Sequence, residues 1–386
     1  HALRGVLVAA ELALAVTLVA GAALLGRSFA RLNAVELGFE PERVLLVKAG
    51  MKTTRFPDGP AYQHAIDQVL ARVAALPGVT HVAVAKDAPL RGAAGEESAF
   101  TLPGEQGSDL QRTANFLPVS PGWFATMGVP LRAGRDLRDP EDSLTGGVVV
   151  SEALARATWP GRSALGQQLA FAGGNLTVVG VAADVRWTRV DSVPPPMVYL
   201  SRRIMRRSGS SFVVRTAGDP AAMIPAVRAA VREVNPDQAF QFSGTMRDVV
   251  AEATAAPRFL MVVVTAFGAL ALLLAAIGVY GVVAYLVGQR TRDIGVRVAL
   301  GADARAIAAW TLRSAMGPVA LGVGVGVVAA LLLSRAIRGQ LFEVSPNDPT
   351  TLAAVVLTVV LVSLVATAVP ARRAMQIDPA EALRRE

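Results

Sequence analysis

The chain has 386 residues, of which 53% are hydrophobic, and its mean hydropathy of +0.45 is too high for an ordinary water-soluble protein. Its formal net charge is +8, but the arginines flank apolar runs, which favours membrane lipid over nucleic acid as the partner of this charge. The chain has no cysteine, so disulfide bonds are excluded.

The first predicted membrane helix spans Gly5 to Gly26 and is apolar except for Glu11. It ends in GRSFARL rather than a small-residue cleavage site, so we expect a retained helix and not a signal peptide. A carboxylate at the bilayer centre costs about 2.5–3.5 kcal/mol on insertion scales. Glu11 is therefore expected to face other helices or the cytoplasmic interface, and a tolerated interfacial charge is the alternative. The start at His1 rather than Met predicts a fragment of a longer polypeptide.

From the first helix to about Ala256 the pattern is typical of a water-soluble α/β domain. A strand–helix–strand unit lies at each end of this domain, and the material between the two units is rich in short strands. The sequence therefore predicts a split, ferredoxin-like βαβ subdomain with a β-rich subdomain inserted in it. The first unit comprises Val44–Met51, Tyr62–Leu76 and Val79–Ala85, and the second Ser211–Thr216, Met223–Val234 and AFQFS.

Three further membrane helices are predicted in the last third of the chain. The longest, Phe259 to Gln289, has roughly 31 uncharged residues, or roughly 46 Å of helix against a hydrocarbon core of about 30 Å. The next lies between Arg313 and Arg335, and the last runs from Pro349 to Ala371. A short helix precedes them, and its predicted capping box pairs Thr245 with Asp248. In the third span, Gly322 and Gly326 have the small-xxx-small spacing of close helix packing.

The short loops predict the orientation of these helices. Arginines are dense in the loop after the second span and in the tail, so both are expected to be cytoplasmic. Four spans then place both termini in the cytoplasm and the large domain outside. Arg27 and Arg31 disagree, because they follow the first span on the outside. The fold class is thus an α-helical membrane protein with four transmembrane helices and a large extracytoplasmic α+β domain.

Several longer stretches carry a family resemblance. They are QRTRDIGVRVALGA from Gln289, PARRAMQIDPAEALR from Pro370, VSPGWFATMGVPLRAGRDL from Val119, VVVSEALARATWPGRSALGQQL from Val148 and VVGVAADVR from Val178. With the layout of one span, a large domain and three spans, the chain resembles the MacB/FtsX-type permeases of ABC transporters. It looks like one half of a duplicated orphan permease.

This resemblance implies three regions and a function. Residues 1–30 would form the first membrane helix, 31–256 a MacB-like extracytoplasmic core domain, and 257–386 an FtsX-like permease domain. The implied protein is an inner-membrane permease subunit that couples a separate ABC ATPase to motion of its external domain, exporting or extracting a substrate. The implied partners are that ATPase, a second permease half or dimer partner, an envelope adaptor and membrane lipid. A non-transporting transducer that regulates an envelope hydrolase, and a sensor without an ATPase, are the alternatives.

The resemblance also assigns an ATPase-coupling segment after the longest span. Ile294 and Val298 lie one helical turn apart and form an apolar stripe, beside which Arg290 and Arg297 can pair with acidic groups. A simple lipid-headgroup anchor is the alternative. The assigned residues are Arg290, Arg292, Asp293, Ile294, Gly295, Arg297, Val298, Leu300 and Gly301.

No catalytic or cofactor site is expected in this chain. The histidines, at positions 1, 64 and 81, lack metal-ligand spacing. The lysines, at positions 48, 52 and 86, complete no GxxxxGK[ST] loop, so ATP is expected on a separate subunit.

The orientation predicts which positions an impermeant thiol reagent reaches on intact cells. Because the chain lacks cysteine, single cysteines can be placed at Gly107, Gly209, Asp303 and Gln376. Labelling is expected at the first two positions and absent at the last two until the cells are permeabilised. Labelling of position 303 but not 107 on intact cells would mean that the orientation is inverted.

Overall fold

The structure, a computed structural model, describes residues 2–50, 56, 59–105, 111–204, 211–289, 304–345 and 347–375. The chain forms two compact units. One, the helix unit, combines residues 1–34 with 256–386, and the other, the sheet domain, comprises residues 35–255.

The sheet domain contains both helices and strands, and the described elements of the helix unit are helical. The helices are α1 (Ala2–Asn33), α2 (Gly59–Ala74), α3 (Trp123–Met127), α4 (Glu141–Thr145), α5 (Glu152–Thr158), α6 (Ile224–Val234), α7 (Met246–Ala253), α8 (Ala255–Gln289), α9 (Ala304–Ala336) and α10 (Pro349–Met375). The strands are β1 (Val44–Ala49), β2 (Val79–Ala85), β3 (Glu96–Phe100), β4 (Arg112–Val119), β5 (Leu131–Gly134), β6 (Gly147–Ser151), β7 (Gln168–Phe171), β8 (Gly174–Ala182), β9 (Met197–Ser201), β10 (Ser211–Thr216) and β11 (Phe240–Thr245).

The first, second, tenth and eleventh strands form the predicted ferredoxin-like subdomain. They lie in the order β11-β1-β10-β2, and every neighbouring pair is antiparallel. Strands β3 to β9 are inserted between β2 and β10 and continue the same sheet, with parallel pairs between β4 and β9 and between β6 and β8. The split βαβ subdomain with an inserted β-rich subdomain is therefore confirmed.

The ladder that joins the two halves of the sheet is narrow. Strands β2 and β4 pair through a single register position, Ala85 opposite Val119. Ser120 lies beside this position, where its backbone N–H donates to the carbonyl of Val84 at 2.8 Å and its side-chain oxygen accepts from the N–H of Val84 at 3.0 Å. Backbone pairing alone therefore fixes little of the contact between the halves.

Side-chain packing joins the halves on one face of the sheet. Successive side chains of a strand point to opposite faces of the sheet. On one face, Leu46 of β1 and Tyr199 of β9 enter a common core, which also contains Trp123 and Trp187. The rings of Trp123 and Tyr199 lie 5.4 Å apart, centre to centre. On the other face the halves keep separate cores, one covered by α2 and α6 and one by α5.

A charged cluster lies at the boundary between the halves. Arg202, which follows β9 and is 4% exposed, donates to Asp67 and Gln63 of α2. Arg203 pairs with Asp67 at 2.8 Å and with Asp139 at 3.3 Å. Burial lowers the pKa of the Arg202 guanidinium, and the nearby Asp67 carboxylate opposes this effect. The cluster therefore ties the ferredoxin-like half to the inserted half through two arginines, of which Arg202 is desolvated.

The helix unit contains the four predicted membrane helices. Among the described residues, the segments long and apolar enough to cross a bilayer are Gly5–Asn33, Ala255–Gln289, Met316–Ala336 and Pro349–Arg373. The first helix continues past the predicted end at Gly26. The predicted capping box is also confirmed, since Thr245 accepts from the N–H of Asp248 while Asp248 accepts from the N–H of Thr245.

Asp67→Asn is expected to destabilise the sheet domain by about 2 kcal/mol, because it leaves the buried Arg202 cation without its carboxylate. For a domain of this size that corresponds to a fall of about 4–8 °C in the unfolding midpoint. Thermal unfolding of the purified chain, followed by tryptophan fluorescence, measures it.

The matched control is Glu233→Gln. Glu233 pairs at 3.1 Å with Arg72, and both side chains are well exposed, so its removal should change the midpoint by little. Equal midpoints for the two variants would contradict the assigned role of Asp67.

Candidate functional site

Two glycines of α9 lie against the backbone of α1. A Cβ atom at Gly322 would lie 2.6 Å from the carbonyl oxygen of Ala9, and one at Gly326 would lie 2.7 Å from Cβ of Val16. Both distances are shorter than side-chain contacts allow, so the observed approach of the helices requires glycine at both positions. Thr17 adds a polar contact, donating to the Ala13 carbonyl at 2.7 Å and approaching the Gly326 carbonyl at 3.4 Å.

Helix α8 also lies against α1, where Gly268 faces the backbone of Leu18. Its buried residues recur every three or four positions along one stripe: Gly268, Ala271, Ala275, Val279, Val283 and Val287. A Cβ atom at Gly268 would lie 3.5 Å from the backbone of Leu18, which is ordinary van der Waals contact. The opposite face carries large exposed side chains, including Phe259, which is 71% exposed, and Ile277, which is 57% exposed.

Glu11 faces this α1–α8 contact. Its Oε2 atom occupies the space that a side chain at Gly278 would fill, and Val8 also borders that space. The Oε2 atom is buried and has no hydrogen-bond partner among the described residues. The carboxyl group is therefore directed at a neighbouring helix, and any change at Gly278 would meet it first.

An ion pair that the sequence reasoning missed joins α1 to α10. Arg27 donates to Asp348, and the same guanidinium nitrogen lies 2.8 Å from the hydroxyl of Thr350 and 2.7 Å from that of Thr351. We call these four residues the Arg27–Asp348 clamp. One residue further, the side-chain oxygen of Ser28 accepts from the N–H of Phe342 at 2.8 Å.

Asp348 both caps α10 and accepts the hydrogen bonds of the clamp. Its Oδ2 atom accepts from the N–H of Thr351 at 3.0 Å, as an N-cap does at the start of a helix. Hydrogen bonding from the Thr351 hydroxyl, with help from Thr350 and the charge of Arg27, lowers the pKa of the Asp348 carboxyl. Two sequence features point to this ion pair. Asp348-Pro349-Thr350-Thr351 is an N-terminal helix signal, and Arg27 is an arginine where the predicted orientation disfavours one.

The predicted coupling residues lie outside the described residues. Positions 290 to 303 include all nine of them, so their role in coupling stays a prediction. Helix α8 ends at Gln289, directly before these positions, and helix α9 begins at Ala304, directly after them. Within the described part of the chain, no group of three or more His, Asp or Glu side chains could hold a metal ion.

Comparison with known proteins identifies the family. The model of the MacB-like periplasmic core domain matches residues 6–234, and the model of the FtsX-like permease C-terminal domain matches residues 265–379. The chain belongs to the family of MacB-like and FtsX-like ABC transporter permeases. The predicted resemblance is thereby confirmed.

Named relatives agree with this membership. The chain is 28% identical over 287 residues to the macrolide export ATP-binding/permease protein MacB of Hahella chejuensis, covering 70% of this chain and 43% of that protein. It is 27% identical over 286 residues to the uncharacterized ABC transporter permease YknZ of Bacillus subtilis, covering 69% of each. The chain thus spans under half the length of the MacB proteins that it matches.

Among solved structures, the periplasmic region of MacB from Actinobacillus actinomycetemcomitans is similar, with 14% identity and a TM-score of 0.39. That match covers 55% of this chain and 92% of the solved one. The extracellular domain of YknZ from Gram-positive bacteria matches with 16% identity and a TM-score of 0.33, over 50% of this chain and 93% of the other.

Gly326→Leu is expected to lower the thermal stability of the detergent-purified chain, because a large side chain must push α1 away from α9 at a cost of about 1–3 kcal/mol. The fraction that stays monodisperse in size-exclusion chromatography after stepwise heating measures this effect. Gly324→Leu is the matched control on the same helix, since a Cβ atom there meets nothing within 4 Å. If both variants survive heating equally, the α1–α9 contact does not depend on Gly326.

Proposed function

We propose that this chain is the permease subunit of an ABC transporter. It couples a separate ATPase to motion of an extracytoplasmic sheet domain, and this motion exports a substrate or extracts it from the membrane. The observation that carries the proposal is α8, one unbroken helix of 35 residues from Ala255 to Gln289. Its last residue precedes the coupling segment at Arg290, and Thr254 alone separates its first residue from α7 of the sheet domain.

An unbroken helix suits this task because its backbone hydrogen bonds resist compression along its axis. A displacement of residues 290–301 would therefore pass along about 50 Å of helix, at about 1.5 Å per residue, to the end of α7. The first half of the buried stripe of α8, Gly268, Ala271 and Ala275, supports the same proposal, since these residues offer few projections that would lock the helix in place.

The relatives support export rather than regulation of a hydrolase. The MacB proteins are named for macrolide export and for an ATP-binding part as well as a permease part. We propose that ATP binds a separate ATPase subunit, as the family resemblance implies; the lysines of the printed sequence complete no phosphate-binding GxxxxGK[ST] loop. The proposal includes an inner-membrane location with both termini in the cytoplasm, as the arginine-rich loop and tail favour.

The proposal also includes partners within the membrane and the envelope. The large side chains on the outer face of α8 fit lipid or the helices of a second permease half or dimer partner. An envelope adaptor would bind the sheet domain.

Arg297→Glu is expected to abolish stimulation of the ATPase that copurifies with the intact chain, because the reversed charge repels acidic groups on that subunit. Ile294→Asp should act in the same direction by placing a charge in the apolar stripe. ATP hydrolysis by the ATPase, with and without the reconstituted permease, measures the effect.

Arg338→Glu is the matched control, since Arg338 is an exposed arginine in the short connection between α9 and α10. It should leave stimulation intact. Full binding and stimulation by both the Arg297→Glu and Ile294→Asp variants would make the segment a lipid anchor and remove the proposed coupling.

A further inference from the structure

A cleft of about 460 Å³ opens in the sheet domain beside the edge strand β11. Its walls come from β1, β11, α7 and the loop between β2 and β3, so every wall belongs to one compact unit.

Two cations line the cleft and are held in place by neighbouring side chains. The guanidinium of Arg91 lies over the ring of Phe242, with its central carbon 3.6 Å from the ring centroid. The ammonium of Lys48 lies 2.7 Å from a carboxylate oxygen of Asp87. Each cationic side chain is 28% exposed, so both remain accessible from the cleft. They form a cationic end whose geometry exists before any ligand arrives and whose charge becomes available where one of the two ion pairs opens.

Two carboxylates pair with these cations, Asp87 with Lys48 and Glu252 with Arg91, and Glu252 is the more exposed of the two. Glu252 of α7 pairs with Arg91, but 66% of its side chain is exposed to solvent. An ion pair exposed to this degree contributes little, since water screens the attraction and both side chains lose freedom. Another carboxylate or phosphate could therefore take the place of Glu252 at small cost.

The rest of the lining combines apolar side chains with Gln241. Leu90, Phe242 and Ala253 give the cleft a hydrocarbon surface next to the two cations, above the buried Val249. Ala253 lies two positions before the start of the membrane helix α8. A site of this composition matches a molecule with an anionic head and an apolar chain, and its α7 wall is joined directly to a membrane helix.

We propose that this cleft binds a single-chain anionic amphiphile. The head group pairs with Arg91 and Lys48 and displaces Glu252, while the chain lies on the apolar residues. The proposal goes beyond the coupling role, because binding is measured without ATP or an ATPase, and either proposal can fail alone.

The test uses the full chain in nanodiscs of zwitterionic phosphatidylcholine, with octanoate as the probe. A fluorophore on Ala251→Cys, an exposed position of α7 in a chain without cysteine, reports binding. Octanoate is expected to bind at least about tenfold more tightly than octanamide, which lacks the charge, or acetate, which lacks the chain. Equal affinity for octanoate and octanamide would overturn the proposal, as would equal affinity for octanoate and acetate.

Two variants should change the affinity in opposite directions. Arg91→Gln should weaken octanoate binding about tenfold, because it removes a charge-assisted hydrogen bond. Glu252→Gln should tighten it about two- to fivefold, because the competing carboxylate is lost. If Arg91→Gln fails to fold, Lys48→Gln takes its place and should also weaken octanoate binding.

The matched control is Glu233→Gln, which removes the carboxylate of another exposed pair and should leave the affinity unchanged. Weaker or unchanged binding by Glu252→Gln would overturn the proposal. So would an affinity gain in Glu233→Gln equal to that in Glu252→Gln, since the effect would then be one of overall charge.

Discussion

Inside a bilayer, helices gain little from burying apolar side chains against one another, because lipid tails are equally apolar. Contact between membrane helices therefore depends on how closely their backbones approach and on a few polar groups. The α1–α9 contact has both, with Gly322 and Gly326 at the backbone of α1 and Thr17 beside the Gly326 carbonyl. The buried stripe of α8 has the same character over half of its length, at Gly268, Ala271 and Ala275, and valines complete it.

The sheet domain, in contrast, is held together mainly by burial of apolar side chains. Its two halves share a single position of the backbone ladder, Ala85 opposite Val119, which cannot fix their relation. Burial of apolar surface stabilises the contact between the halves, since their common core contains side chains from both. Trp123, Trp187 and Tyr199 are fully buried in this core. On the other face the cores are separate, so the contact there depends on Arg202.

Periodicity predicted most of the elements of the fold. The two βαβ units, the four spans and the Thr245 capping box are all local patterns, and the structure contains each of them. Long-range pairs were not predictable, because nothing in a single sequence links positions such as Arg27 and Asp348, which are 321 residues apart. The Asp67–Arg202 pair, 135 residues apart, was missed for the same reason. Of the candidate site residues, the sequence named Gly322, Gly326 and Glu11 from local spacing and charge alone.

The Arg27–Asp348 clamp gives the arginine that follows the first span a carboxylate partner, and the same carboxylate caps α10. With the Ser28–Phe342 bond, the clamp ties the end of α1 to α10 and to the α9–α10 connection. Helix α8 contacts α1 at Gly268, and its Tyr280 hydroxyl lies 3.4 Å from exposed Arg373 of α10. Among the described residues, displacing α8 along α1 therefore breaks fewer polar contacts than displacing α1 from α10.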